Sequence, residues 1–389
     1  MAKQASPSLA AQLGALTLAR LFLNIGLRMV YPFAPALARG LGVELTAVYR
    51  LIALRNLTGF LSPLFGPLSE RFGRKIIMLV AMLIFALGAL LVFVWPAYWP
   101  LGAALALLSL AKILYDPAMQ AHIGDTVPYR RRGQAIAVTE LAWALALLGG
   151  APIVGLLIQR QGWQAPFFWL GALSLAATVL LWRVVADSGK RAGQAATLGA
   201  VLRVLRQYPV IWFAVAYLTA AMTANEMLFI VYGDWMEGSF GLALAALGLA
   251  SGVIGGAEIV GELFAGWSVD RFGKRRVIIV TGLLNALLYF TIPYTSGSLG
   301  AALVTLFLLF LFFEITIVGG IPLMTELVPS ARGVVMSMVL TAMSLGRTLG
   351  SLLGPIIWAQ GGFRSTGLAA ALVMATAVFI LARWVREGE

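Results

Sequence analysis

Ionisable side chains interrupt several stretches of this sequence that are otherwise apolar. Arg20 and Arg28 fall in the first stretch, Arg50 and Arg55 in the second, Lys112 and Asp116 in the fourth, and Glu140 in the fifth. Glu226 follows in the seventh, Glu258 and Glu262 in the eighth, Glu314 in the tenth and Arg347 in the eleventh. Three chemistries suit such groups. A carboxylate among apolar neighbours can take up and release a proton as its surroundings change. A guanidinium can grip an anion through paired N–H donors. Opposite charges can also simply neutralise one another. Lys112 and Asp116, four residues apart on one helical face, fit that last role. Glu140 suits a basic partner across a helix 4–helix 5 contact. Glu258 and Glu262 have the same spacing but like charge, which favours proton binding by one of them; Glu262 alternatively belongs to an exit. Glu226 and Glu314 are candidates for coupling or substrate binding, with Arg28 and Arg347 as their expected opposites. Asn24 and Asn225 either bond substrate or join helices.

Other chemistries lack their residues. Cysteine is absent and His122 is the one histidine, so thiolate and histidine metal clusters are excluded. No Gly-x-x-x-x-Gly-Lys-Ser/Thr loop is present to hold a nucleotide phosphate. An intramembrane enzyme using Lys112, Asp116 and Glu140 as acid and base would lack a nucleophile, so no enzyme and no cofactor is expected.

The elements that position these groups must lie in a membrane. The sequence is 61% hydrophobic and only 11% charged, against about 25% charged in soluble domains. A spanning helix needs about 20 apolar residues. The breaks at Gly, Pro and charge clusters predict an all-α membrane protein of twelve such helices. They are placed near Leu13–Ala38, Glu44–Ser69, Ile76–Trp95, Tyr98–Asp125, Gly133–Gln159 and Gln164–Ala186. The second six lie near Tyr208–Met236, Gly241–Val269, Arg276–Tyr294, Leu299–Glu326, Gly333–Gln360 and Thr366–Val385. Residues 1–186 form one six-helix bundle, 187–207 a cytoplasmic linker and 208–389 a second bundle. Leu198–Leu205 reads either as a surface helix or as plain linker. Arg20 and Arg28 argue that the first segment is retained and not a cleaved signal.

Charge sets the expected orientation. Lys and Arg crowd alternate connections: Arg71, Arg74 and Lys75; Arg130, Arg131 and Arg132; Lys190 to Arg206; Arg271 to Arg276; Arg332; Arg383 and Arg386. The other connections hold only Arg39, Arg160 and Arg364. The positive-inside rule then puts both termini in the cytoplasm and the chain in the cytoplasmic, inner membrane of a cell. The net charge of +12 is thereby explained without nucleic acid.

The halves repeat. Gly66-Pro-Leu-Ser-Glu-Arg-Phe-Gly-Arg-Lys75 parallels Gly266-Trp-Ser-Val-Asp-Arg-Phe-Gly-Lys-Arg275. Val127-Pro128 with Arg132-Gly133 parallels Val328-Pro329 with Arg332-Gly333, and Asn24 with Tyr31 parallels Asn225 with Tyr232. Parallel six-helix repeats imply a pseudo-two-fold axis along the membrane normal, with the pathway between them.

The doubled loop, Gly-x-x-x-(Asp/Glu)-Arg-x-Gly-(Arg/Lys)-(Arg/Lys), resembles the signature loop of the major facilitator superfamily, with Glu70 standing where that family usually has Asp. The resemblance implies alternating access by rocking of two halves, helices 3, 6, 9 and 12 at the periphery, and a gate built on Gly66, Glu70, Arg71, Gly73 and Arg74 and on Gly266, Asp270, Arg271, Gly273 and Lys274. It also offers Lys112 a mid-membrane basic role. Gly149-Gly150-Ala151-Pro152-Ile153-Val154-Gly155 looks like a degraded form of the helix-5 Gly-Pro-x-x-Gly-Gly motif of drug–proton antiporters. Generic helix packing explains the same glycines, as it does Gly346, Gly350 and Gly354. The expected function is proton-coupled efflux of a small organic or amphipathic solute, by a monomer in contact with membrane lipid. Uptake or exchange of an anionic solute, favoured by Arg28, Arg55 and Arg347, and lipid export are the alternatives.

Overall fold

The computed structural model describes residues 8–61, 68–187 and 198–385. Among them, ten helical stretches are long and apolar enough to cross a membrane. The last is two spans: Arg332–Trp384 bends at Gly361 and Gly362, the latter with φ of 62°, where a side chain would be strained. The remaining span, helix 2, escapes a length test because residues 62–67 fall outside the description.

Each helix keeps the expected place in the order. Helix 3 is Arg74–Val94, helix 4 Tyr98–Thr126, helix 5 Tyr129–Gln161 and helix 6 Ala165–Val184. Helix 7 is Val210–Phe240, helix 8 Leu244–Phe272, helix 9 Lys274–Thr291 and helix 10 Leu299–Glu326. Helices 11 and 12 share the bent stretch. A ten-residue helix, Leu198–Gln207, precedes helix 7, so the helical reading of that connection holds.

Helices 1 and 2 depart from the expected continuous spans. Helix 1 runs Leu9–Arg28, opens into a turn over residues 29–33, and resumes as Ala34–Leu41. The cause is Pro32, which has no N–H for the Arg28 carbonyl and crowds the preceding turn. Helix 2 is α-helical over Leu45–Leu57, tightens to a 3-10 turn at Thr58–Leu61, and is helical again at 68–72. Helix 5 widens into one π-turn at Ala146–Gly150, two residues before Pro152, which again withholds an N–H.

Apolar burial sorts the helices. In helix 3 one face, Ile76, Val80, Leu83 and Leu87, is 40% to 63% exposed. Val280, Leu283 and Leu287 of helix 9 repeat it, 49% to 56% exposed. A stripe of large apolar side chains left uncovered along a whole helix suits lipid, not water. Helix 7 is the opposite case: 78% of its most apolar window is buried, because it packs along helix 11 and reaches helices 1 and 2 of the other half. Gly346, Gly350 and Gly354 make the first of these contacts possible. A Cβ on them would strike Met222, Glu226 and Ile230 of helix 7.

The two halves meet through helices 5 and 8, 1 and 7, and 2 and 11. Glycine allows the closest approaches. A Cβ on Gly155 would overlap the Leu244 carbonyl oxygen, one on Gly255 the Leu148 amide and Ala144 carbonyl, and one on Gly233 the Pro32 carbonyl. Of the helix-5 glycines, Gly155 therefore serves packing between halves, whereas Gly150 packs on Ile25 of its own half. Overpacking such a contact costs about 1–3 kcal/mol, and at Gly155 the cost falls on the arrangement in which helices 5 and 8 touch. Gly155→Ala is expected to speed maleimide labelling of a reporter at Tyr49→Cys, a position 3% exposed here. Since the chain has no native cysteine, the reporter is unambiguous. Unchanged labelling would mean that the contact does not control access.

Candidate functional site

Among the described residues, interior charges gather into three groups, two of which join the halves. The first lies within the N-terminal half. Arg20 of helix 1 reaches Asp116 at 3.2 Å and Glu140 at 2.8 Å, and donates to the Thr139 carbonyl at 2.9 Å. Lys112 bonds Asp116 and the Asn24 side-chain oxygen, each at 2.7 Å. Two cations and two carboxylates thus form one neutral set across helices 1, 4 and 5. Lys112 and Asp116 do pair with each other. Glu140 finds its base on helix 1, not across a helix 4–helix 5 contact, because Arg20 projects between those helices.

The second group joins the halves. Arg28 lies against Glu258 of helix 8 in a two-pronged bond of 2.7 and 2.6 Å, with both side chains buried. It also donates to the Trp143 carbonyl at 2.8 Å and stacks over that indole, 4.2 Å from the ring centre. Arg28 is therefore held by Glu258, rather than facing Glu226 or Glu314. Glu314 sits near this pair, against Gly261 of helix 8. Among the described residues it has no hydrogen-bond or ion-pair partner. Glu262, one turn beyond Glu258, faces Glu140 and Arg20 of the other half at longer range.

The third group also joins the halves and is mostly neutral. One oxygen of Glu226 on helix 7 accepts from Tyr31 Oη at 2.8 Å, Ser351 Oγ at 2.7 Å and Asn56 Nδ2 at 3.2 Å. Arg55 supports it from behind, donating to Tyr31 Oη at 2.8 Å, the Asn56 side-chain oxygen at 2.9 Å and the Leu27 carbonyl at 2.7 Å. Helices 1, 2, 7 and 11 all contribute. The broken turn after Arg28 matters here, since it carries Tyr31 toward helix 7, where its ring stacks on Phe229 at 4.4 Å.

The remaining candidates have quieter places. Asn225 donates to Tyr289 Oη at 3.2 Å and so ties helix 7 to helix 9. Arg347 stands over Trp143, 5.3 Å from the ring centre. Arg50 is exposed near the start of helix 2 and takes no part in the interior groups. His122 is buried in the last turns of helix 4. Asn56 and Ser351 were not singled out from the sequence. Asn56 carries a signal, a polar amide next to Arg55 in an apolar stretch; Ser351 hides among the small residues of helix 11.

At the basic end the repeated loops are anchored alike. Gly73 and Gly273 each end one helix and begin the next with positive φ, 96° and 86°. Arg74 lies 3.5 Å from Asp125 at the end of helix 4 and bonds Ser69 at 2.9 Å. Lys274 pairs in the same way with Glu326 at the end of helix 10. Arg71 and Arg271 lie over Phe72 and Phe272. Glu70, Gly266 and Asp270 are in place on their helix ends, and Gly66 lies outside the described residues. At the other end Arg39 reaches Glu237 across the halves at 2.7 Å. An apolar groove of about 290 Å³ between helices 1, 5 and 6, lined by Phe22, Ile25, Gly149 and Trp169 among others, holds none of the charged candidates.

Comparison with known proteins agrees with this architecture. The model of the Major Facilitator Superfamily matches residues 16–230 and again 218–389. Multidrug resistance protein 2 of Bacillus subtilis (strain 168) is 25% identical over 355 residues, 87% of this chain and 86% of that protein. The multi-drug resistance efflux pump PmrA homolog of Lactococcus lactis subsp. lactis (strain IL1403) is 24% identical, over 72% of this chain and 71% of that protein. Among solved structures, the D-xylose–proton symporter superposes with a TM-score of 0.79 at 15% identity, covering 97% of this chain and 98% of that one. A bacterial homolog of the human lysosomal transporter Spinster, inward-facing and occupied, gives 0.76 at 16% identity, covering 96% of each chain. With the repeated fold, the repeated loop and the doubled family match all on the same chain, the protein belongs to the Major Facilitator Superfamily and is a membrane transporter, not an enzyme.

Proposed function

We propose that the chain is a proton-coupled secondary transporter that exports a small organic or amphipathic solute across the cytoplasmic membrane by alternating access. The observation that carries this is the environment of Glu226. Its partners come from both halves and are neutral donors. Rocking the halves apart removes Tyr31 and Asn56 and exchanges them for water or solute, so the surroundings of this carboxylate follow the conformation. Glu314, half-buried beside Arg28 and Glu258 and without a hydrogen-bond or ion-pair partner among the described residues, is a second group able to couple protons to the cycle. Multidrug pumps among the relatives support the outward direction.

In this reading residues 1–186 and 208–389 are the two rocking bundles and 187–207 their linker. The crowding of Lys and Arg at one end supports a cytoplasmic location of both termini. The loops at Arg74 and Lys274, held here to their own halves, supply cations to close that end in the opposite state. The protein works as a monomer surrounded by lipid. Reconstitution tests the whole: purified protein in liposomes is expected to accumulate labelled amphipathic solutes saturably under a pH gradient and to stop when a protonophore collapses it. Flux indifferent to the gradient would remove proton coupling, and substrate turnover without flux would remove transport.

A further inference from the structure

Among the described residues, every interior cation but one is held by a hydrogen bond or an ion pair. Arg20 is held by Asp116, Glu140 and a carbonyl. Arg28 is held by Glu258 and a carbonyl, Arg55 by Tyr31, Asn56 and a carbonyl, and Lys112 by Asp116 and Asn24. Arg347 differs. Among the described residues its guanidinium has no hydrogen bond and no ion pair. Its backbone is fixed, since the Arg347 carbonyl accepts from Asn56 at 3.5 Å. Its head is half-buried and rests on Trp143 of the other half. Glu314 is within charge–charge range of it but forms no bond to it.

A guanidinium placed in a membrane interior without a hydrogen-bond or ion-pair partner is costly. Such a group is retained where something else satisfies it. Its five N–H donors form a planar fork that matches a carboxylate, and Trp143 beside it, which also carries Arg28 over its ring, is only half-buried, so the rest of its indole offers an apolar wall to the body of the same ligand. We propose that Arg347 and Trp143 form a binding site for a small organic carboxylate with an aromatic or apolar body, the carboxylate on the Arg347 fork and the body against Trp143. The site lies where helices 5 and 11 face each other across the halves, so a ligand there contacts both. This assignment rests on the reading of the chain as a transporter and not on the direction of transport.

The test uses the purified full-length chain and three probes of one shape: 1-naphthoate, its neutral amide, and 1-naphthylmethylammonium. Isothermal titration is expected to give naphthoate an affinity at least about tenfold above the amide, the scale of one charge-assisted hydrogen-bonded contact. Arg347→Gln is expected to erase that preference, with its thermal midpoint close to wild type because no ion pair is lost. Equal binding of the three probes by the wild-type protein, no naphthoate binding, or an unchanged preference in Arg347→Gln would each overturn the site. Liposome flux separates this from the broader reading. Amphipathic solutes still pumped while the naphthoate preference is absent would sink the carboxylate site alone. Naphthoate bound through Arg347 with no flux of any solute would sink the transport reading and leave the site standing.

Discussion

Glu226→Gln is expected to reduce pH-driven solute accumulation to the level of protein-free liposomes while leaving the protein folded. The reason lies in which atom does the bonding. Tyr31, Asn56 and Ser351 all donate to the same oxygen of Glu226. Glutamine keeps an oxygen there and nearly the same volume, so the contacts between helices 1, 2, 7 and 11 persist. What disappears is the ability to lose a proton. The variant imitates the protonated acid at every stage of the cycle, and a pump that cannot release its proton cannot use a gradient. Exchange of solute at equal pH on both sides does not require that release and is expected to continue. Glu314→Gln is expected to behave in the same way. Accumulation at the wild-type rate by both variants would show that neither carboxylate carries the coupling proton.

The parts of this molecule that could be read in the sequence are those set by local composition or by repetition. Apolar length and the positions of Gly, Pro and charge give the order of the spans. The loop beginning at Gly66 declares itself because it recurs at Gly266. The exposed stripes of helices 3 and 9 repeat at the same interval, Val80 with Val280 and Leu83 with Leu283. The break in helix 1 was legible in Pro32 and Pro35, yet the apolar run around them suggested continuity. Pairings were a different matter. Lys112 and Asp116 are four residues apart, and helix geometry alone brings them together. Arg28 and Glu258 are separated by two hundred and thirty residues, and their contact depends on how two bundles dock. Nothing in the sequence distinguishes Glu258 from Glu226 or Glu314 as the partner of Arg28. The anchoring carboxylates Asp125 and Glu326 were equally silent, since each looks like an ordinary helix-end residue until its loop folds back.

The charges within the spans are unequal between the halves: Arg20, Arg28, Arg50, Arg55 and Lys112 fall in the first, and Glu226, Glu258, Glu262 and Glu314 in the second. The basic groups of the first half and the acidic groups of the second are not two separate sites; at Arg28 and Glu258 they are one bond across the junction. A buried pair of this kind makes a sharp thermodynamic prediction. Arg28→Met leaves Glu258 buried beside an apolar chain and deprives the Trp143 carbonyl of its donor, and Glu258→Met leaves the guanidinium over Trp143 without its carboxylate. Each single variant is expected to lose about 3–5 kcal/mol of stability. The double variant Arg28→Met/Glu258→Met leaves no uncompensated charge and is expected to recover most of that loss. Unfolding of the purified proteins in one detergent measures all four corners of the cycle. Transport is expected not to recover with stability. Under the proposed rocking of the halves the bond breaks and reforms as helices 1 and 8 part and meet, and an apolar replacement holds the halves without that exchange. Costs that simply add in the double variant would deny the pair any role as a junction between halves. A stable double variant that pumps at the wild-type rate would confine the pair to packing.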